Sequence, residues 1–112
     1  DGRADDLLKL GGIFVSPLEV EGVLLRHDSV LEVAVVGEEN EHGLIKGLAY
    51  VVVKTGHQPG DDLASALLAF GKSQLAHYKV PQRVEFVPAL PRSDRGKVLR
   101  RVLRQKDRPA AS

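Results

Sequence analysis

The chain has 112 residues, enough for one domain with one core and too few for a substrate domain plus a cofactor domain, so any active site is expected to be shared. Hydrophobic residues make up 43% and charged ones 28%, which excludes a largely disordered or membrane-spanning chain, and the lack of cysteine excludes a disulfide framework and thiolate chemistry. The formal net charge is only +1, yet eight basic residues between Arg92 and Arg108 face two acidic ones, Asp94 and Asp107, which leaves an acidic remainder.

In chain order, Leu7 to Leu10, Gly11-Gly12 and Ile13 to Val15 predict a β-hairpin, because glycines accept the positive φ that tight hairpin turns need. Ser16-Pro17-Leu18-Glu19 then supplies an N-cap serine, a proline at the first helical position and a glutamate at the third, a capping-box pattern. The apolar stripe Leu18, Val20, Val23, Leu24 and Leu25 predicts a helix from Pro17 to Arg26. Val30 to Val36 and Ile45 to Val53 are rich in β-branched residues and read as paired strands, with Gly37 and Gly43 in the connection between them.

Asp61 or Asp62 is expected to cap a second helix whose buried side includes Leu63, Leu67, Leu68, Phe70 and Leu75. Gly71 weakens its middle, by about 1 kcal/mol relative to alanine, and Pro81 is expected to stop it. A further strand over Val84 to Val87, a turn forced by Pro88 and Pro91, and a short helix over Val98 to Arg104 complete the pattern, with the residues from 106 to 112 as a frayed tail. The order hairpin, α, β, β, α, β, α predicts an α+β domain with a small mixed sheet flanked by helices and preceded by a two-stranded β-hairpin.

The stretch PRSDRGKVLRR, Pro91 to Arg101, places Lys97 behind Gly96 on a polar turn, where it could serve as a catalytic group, a nucleic-acid contact or a solvated charge. A phosphate loop of the GxxxxGK[ST] type would need glycine at position 91 and Ser or Thr at 98; the chain has Pro91 and Val98, so that reading is excluded. The basic tail points to a phosphate-bearing or acidic partner, although a solvated helix face has the same composition. A nucleic-acid reading lacks an aromatic stacking platform and a reading-helix signature, with only three Phe and two Tyr. The four histidines, His27, His42, His57 and His77, show no metal-ligand spacing, so no metal site is expected. The chain opens at Asp1 with neither methionine nor an apolar leader and is read as a piece of a longer polypeptide, not a secreted precursor.

Asp1-Gly2-Arg3-Ala4-Asp5-Asp6-Leu7-Leu8-Lys9, followed by Gly12 and Glu19-Val20-Glu21, resembles the GRxDxxxKxxG…E-[IV]-E motif that opens the C-terminal domain of adenylate-forming enzymes: acyl-CoA synthetases, peptide-synthetase adenylation domains and luciferases. His77 to Pro81 is similar to that family's [FY]-K-x-P segment, and Pro91 to Arg101 to its final Px4GK[VIL]xR motif. The matches come in the family's order and cover residues 1 to about 105. Ile13-Phe14-Val15-Ser16-Pro17 is further similar to the benzoate and hydroxybenzoate CoA ligase branch.

The resemblance implies a small mobile domain, residues 1–105, that alternates between two half-reactions after joining a large N-terminal domain not contained in this chain. The reactions implied are activation of a carboxylic acid by Mg2+-ATP to an acyl-adenylate, then transfer to coenzyme A, with a carrier-protein thiol as the alternative acceptor. It implies Lys97 as the adenylation lysine, Asp5 as the hinge, Arg3 as a residue near the nucleotide, and Lys9, Gly12 and Lys79 on the face used for thioester formation. Some CoA ligases carry further basic residues around the matching proline, where this chain has Val80 and Gln82. The same resemblance implies acetylation of Lys97 by a protein lysine acetyltransferase as a control. No nucleic-acid or membrane partner is expected, the setting is expected to be cytoplasmic, and this piece alone is expected to be inactive and to hold no cofactor tightly.

Overall fold

A computed structural model describes residues 8–10, 13–39, 41–43 and 45–92. Strands β1 (Leu8–Leu10) and β2 (Ile13–Val15) form an antiparallel ribbon in which Lys9 pairs with Phe14. Helix α1 (Pro17–Leu24) follows at once, and then β3 (Val30–Glu39), β4 (Ile45–Val53), helix α2 (Asp61–Gln74), a 3₁₀ turn (His77–Lys79) and β5 (Arg83–Phe86). The main sheet has the order β3-β4-β5, with β3 antiparallel and β5 parallel to β4, so it is the mixed sheet expected of this α+β chain. A parallel pair cannot be joined by a tight turn, and α2 is the crossover that brings the chain back to the same end of β4.

The middle of β3 and of β4 is buried on both faces, which is why these two strands read as near-continuous apolar runs. Val33, Val35, Ala49 and Val51 pack with Val20 and Leu24 of α1 and Leu67 of α2. On the opposite face Ala34, Val36, Leu48, Tyr50 and Val52 pack with Leu90 and Val87. The β1 strand also lies against β3 and β4.

Several local expectations are corrected. The α1 helix ends at Leu24, not Arg26, because Arg26 and His27 bond back three residues, to Val23 and Leu24, and tighten the last turn. The capping box does not close: Ser16 makes no side-chain cap bond, and the Glu19 carboxylate is engaged elsewhere. Gly37 belongs to β3, where it faces Gly47 and the ladder continues through Glu38 and Glu39; the turn begins later and uses Gly43 at φ 79°, a conformation that favours glycine. Leu31 has no partner in the ladder, since Val30 faces Val53 while Glu32 already faces Val52, and this bulge leaves Leu31 exposed.

At α2 the N-cap is Gly60, and Asp61 and Asp62 occupy the first turn, where their charge favours the positive end of the helix dipole. The helix ends well before Pro81, at Gln74, as the buried Leu75 turns to extended backbone at φ −124° and ψ 152° to enter the core. The last strand spans Arg83–Phe86, although the Val87 N–H still reaches the Val51 carbonyl at 3.0 Å. The expected helix over 98–104 and the tail over 106–112 lie outside the described residues.

Candidate functional site

Of the residues singled out by sequence, Arg3, Asp5, Gly12 and Lys97 lie outside the described residues, Lys9 is placed by its backbone, and Lys79 is described in full. Lys9 is the middle residue of β1. Its partner strand β2 ends at the buried Val15 and runs through Ser16 directly into α1, so the hairpin is fixed to the start of that helix.

Lys79 closes the 3₁₀ turn, and its ammonium donates to both carboxylate oxygens of Glu19, at 3.0 and 2.9 Å, across a separation of 60 residues. Glu19 belongs to the first turn of α1. The hairpin carrying Lys9 and the turn carrying Lys79 are therefore both tied to the N-terminus of one helix. The Glu19 hydrogen bond raises the Lys79 pKa above its ordinary 10.5, so the ammonium is charged at every physiological pH. The pair is only partly screened from water, with the lysine side chain 23% and the glutamate 46% exposed. Lys79 also lies 5.8 Å from the centre of the exposed Tyr78 ring, and Tyr78 meets the His77 ring edge-on at 6.4 Å.

Glu21, two residues beyond Glu19, points the other way. Its carboxylate is buried and accepts the Val35 N–H at 2.7 Å. Because β3 has β4 on one side only, that N–H faces away from the ladder, and Glu21 satisfies it. The two acidic residues of Glu19-Val20-Glu21 thus divide into an inward residue that fixes α1 on the sheet and an outward one that holds Lys79.

The segment that leads to Lys97 is anchored at its root. Val87 bonds to Val51, Leu90 is buried in the second core layer, and the Arg92 guanidinium donates to the Glu32 carboxylate of β3. The described residues end there, five positions before Lys97. One residue of the basic tail is thus committed to a partner within the domain.

On the far side of Pro81, Gln82 donates to Glu38, and its N–H bonds the Gly47 carbonyl at 2.8 Å. Arg83 Nε reaches both Glu38 oxygens at 3.1 and 3.0 Å, and Arg83 also meets Glu85 at 3.2 Å. Gln82 and Arg83 thus form a polar network that pins β5 to β3. Sequence reasoning missed Glu19, Glu32 and Glu38 as partners of Lys79, Arg92 and Arg83. Only the (i, i+2) spacing of Glu19 and Glu21, which puts them on different sides of a helix, offered any signal.

Among the described residues no three His, Asp or Glu side chains converge as a metal ion requires, and no helix is long and apolar enough to cross a membrane.

Residues 19–97 match the model of the AMP-binding enzyme C-terminal domain. The chain is 50% identical over 103 residues to the benzoate–CoA ligase of Thauera aromatica, an alignment covering 92% of this chain and 20% of that protein. Among solved structures it is similar to a benzoate CoA ligase from Burkholderia xenovorans LB400, with TM-score 0.83 and 48% identity over 90% of this chain and 20% of that one. It also superposes on the anthranilate CoA ligase AuaEII in complex with anthranoyl-AMP, with TM-score 0.89 and 40% identity over 96% of this chain and 21% of that one. The chain spans about a fifth of the length of the relatives it matches.

Proposed function

The chain belongs to the AMP-binding enzyme C-terminal domain family, and on that premise we propose that residues 1–105 are the small, mobile domain of an ATP-dependent carboxylic acid–CoA ligase acting on an aromatic acid such as benzoate. The observation that carries this reading is the 50% identity with a benzoate–CoA ligase, sustained over 92% of the chain. The missing part of the polypeptide would supply the acid pocket and the phosphate loop, in a cytoplasmic setting where ATP and CoA are at hand.

In this reading the carboxylate attacks the α-phosphorus of ATP, pyrophosphate leaves, and the acyl-adenylate then yields its acyl group to the CoA thiol with release of AMP. Mg2+ enters with ATP as part of the substrate. Lys97 bridges the attacking carboxylate and the α-phosphate, a task suited to a compact cation on a long stem placed where negative charge redistributes. Arg3 lies near the nucleotide, and Asp5 absorbs the backbone rotation that withdraws Lys97 and presents the second face. On that face Lys9 and Gly12 border the pantetheine arm, Gly12 because a missing side chain lets backbone approach closely, and Lys79 meets the nucleotide end of CoA. The anchoring of Leu90 and Arg92 supports the role of Lys97, since a residue delivered and withdrawn by domain rotation needs a rigid root. Acetylation of Lys97 by an acetyltransferase would remove the cation that adenylation needs; label at Lys97 after incubation with such an enzyme and acetyl-CoA is the expected mass-spectrometric result.

The test is carboxylate-dependent exchange of pyrophosphate into ATP by the full-length polypeptide, followed by thioester formation with CoA. Benzoate is expected to support both. Exchange without transfer to CoA, restored by a phosphopantetheinylated carrier protein, would move the protein to the carrier-loading class, and no exchange with any acid would overturn the reading.

A further inference from the structure

The bidentate contact of Lys79 with Glu19 raises a question that the CoA-facing role of Lys79 does not answer. Both oxygens of the Glu19 carboxylate lie within hydrogen-bond distance of the ammonium, at 3.0 and 2.9 Å. A phosphate oxygen that bonded Lys79 in this arrangement would also lie close to a carboxylate, so it gains a cation and meets an anion together. Glu19 is not retained there by helix capping, since its carboxylate does not return to the start of α1 and Ser16 makes no side-chain cap bond. The pair also stands partly in water, with Glu19 46% exposed, so the carboxylate can swing into solvent without leaving a charge buried.

We propose that Glu19 is an internal anion competing for the Lys79 ammonium with the nucleotide phosphate of the acyl acceptor, so that the pair sets how strongly a phosphorylated thiol is preferred over an unphosphorylated one. The proposal rests on the reading of the full-length protein as a CoA ligase with Lys79 facing the CoA nucleotide. Glu19 acts through Lys79 and touches no reacting atom. Its effect is confined to acceptors that carry phosphate on the nucleotide, because pantetheine presents nothing to Lys79.

The test measures KM for CoA and for pantetheine with the full-length polypeptide as wild type, Glu19→Gln, Lys79→Ala and the double variant. Glu19→Gln is expected to lower KM for CoA by about two- to fivefold, the scale of an exposed ion pair, with KM for pantetheine unchanged. Glu19→Asp, which draws the carboxylate back, is expected to act in the same direction. Lys79→Ala is expected to raise KM for CoA and to erase the effect of Glu19→Gln. If Glu19→Gln raises KM for CoA, leaves it unchanged, or shifts CoA and pantetheine alike, Glu19 is a structural strut and the proposal is overturned while the CoA role of Lys79 stands. If Lys79→Ala leaves KM for CoA unchanged, that role fails, and the proposal with it.

Discussion

The Glu21 carboxylate accepts the backbone N–H of Val35 at 2.7 Å, joining the middle of α1 to the open edge of β3. Both groups are buried, so removal of the acceptor would strand a donor in the core. Glu21→Ala is expected to destabilise the domain by about 1–3 kcal/mol, the cost of a buried unsatisfied polar group. Glu21→Gln, which keeps an acceptor oxygen, is expected to recover most of that loss. Urea denaturation of both variants checks this, and equal stability of Glu21→Ala and wild type would contradict it.

Gly71 lies where α2 passes α1, and a Cβ there would stand 3.6 Å from Val80 Cγ1 and 3.9 Å from Leu24 Cδ2, ordinary contact distances among the described atoms. The site has room for one methyl group. Gly71→Ala should therefore stabilise the domain by up to about 1 kcal/mol through helix propensity alone. A midpoint below that of wild type would show that the two helices need the closer approach.

Lys79 should lose its proton above its ordinary pKa of 10.5, because the Glu19 hydrogen bond favours the charged form. A pKa raised by folding adds stability that is fully present below the unfolded value and is lost as pH rises through the folded one. The contribution is thus constant across neutral pH and disappears only in strong alkali. NMR titration of the Lys79 ammonium follows it directly, with Glu19→Gln expected to bring the midpoint down towards 10.5.

Much of this fold was legible because β3 and β4 are buried on both faces through their middles and are long runs rich in β-branched residues; Ile45–Val53 was readable to the residue. Features that depend on distant parts of the chain were not. Glu19 carried the signal of a capping residue, and only the arrival of Lys79 from 60 positions away gives it another partner. Pro81 carried the signal of a helix stop, but the burial of Leu75 ends α2 earlier. Gly37 carried the signal of a turn, but a second glycine directly opposite lets the ladder pass through it. Motif order names Lys97, Asp5 and Lys79 as candidates, but the groups that anchor Lys79 and Arg92 were not legible, because they are ordinary surface glutamates until the chain folds.

In the proposed function Asp5 is the hinge between the two half-reactions. Asp5→Pro in the full-length polypeptide fixes φ near −65° and removes a backbone donor, so it should hold the adenylating arrangement. Pyrophosphate exchange is expected to persist while thioester formation slows. Equal rates in both half-reactions would remove Asp5 from that role.

In the proposed function Lys97 serves adenylation and leaves the site for thioester formation. Its most direct test measures the two half-reactions separately for Lys97→Ala in the full-length polypeptide, supplying preformed acyl-adenylate for the second. Adenylate formation is expected to fall by at least about 10²–10³, the scale for removing one preorganised charge-stabilising donor, with transfer from supplied acyl-adenylate to CoA largely retained. A parallel fall in both half-reactions would contradict it.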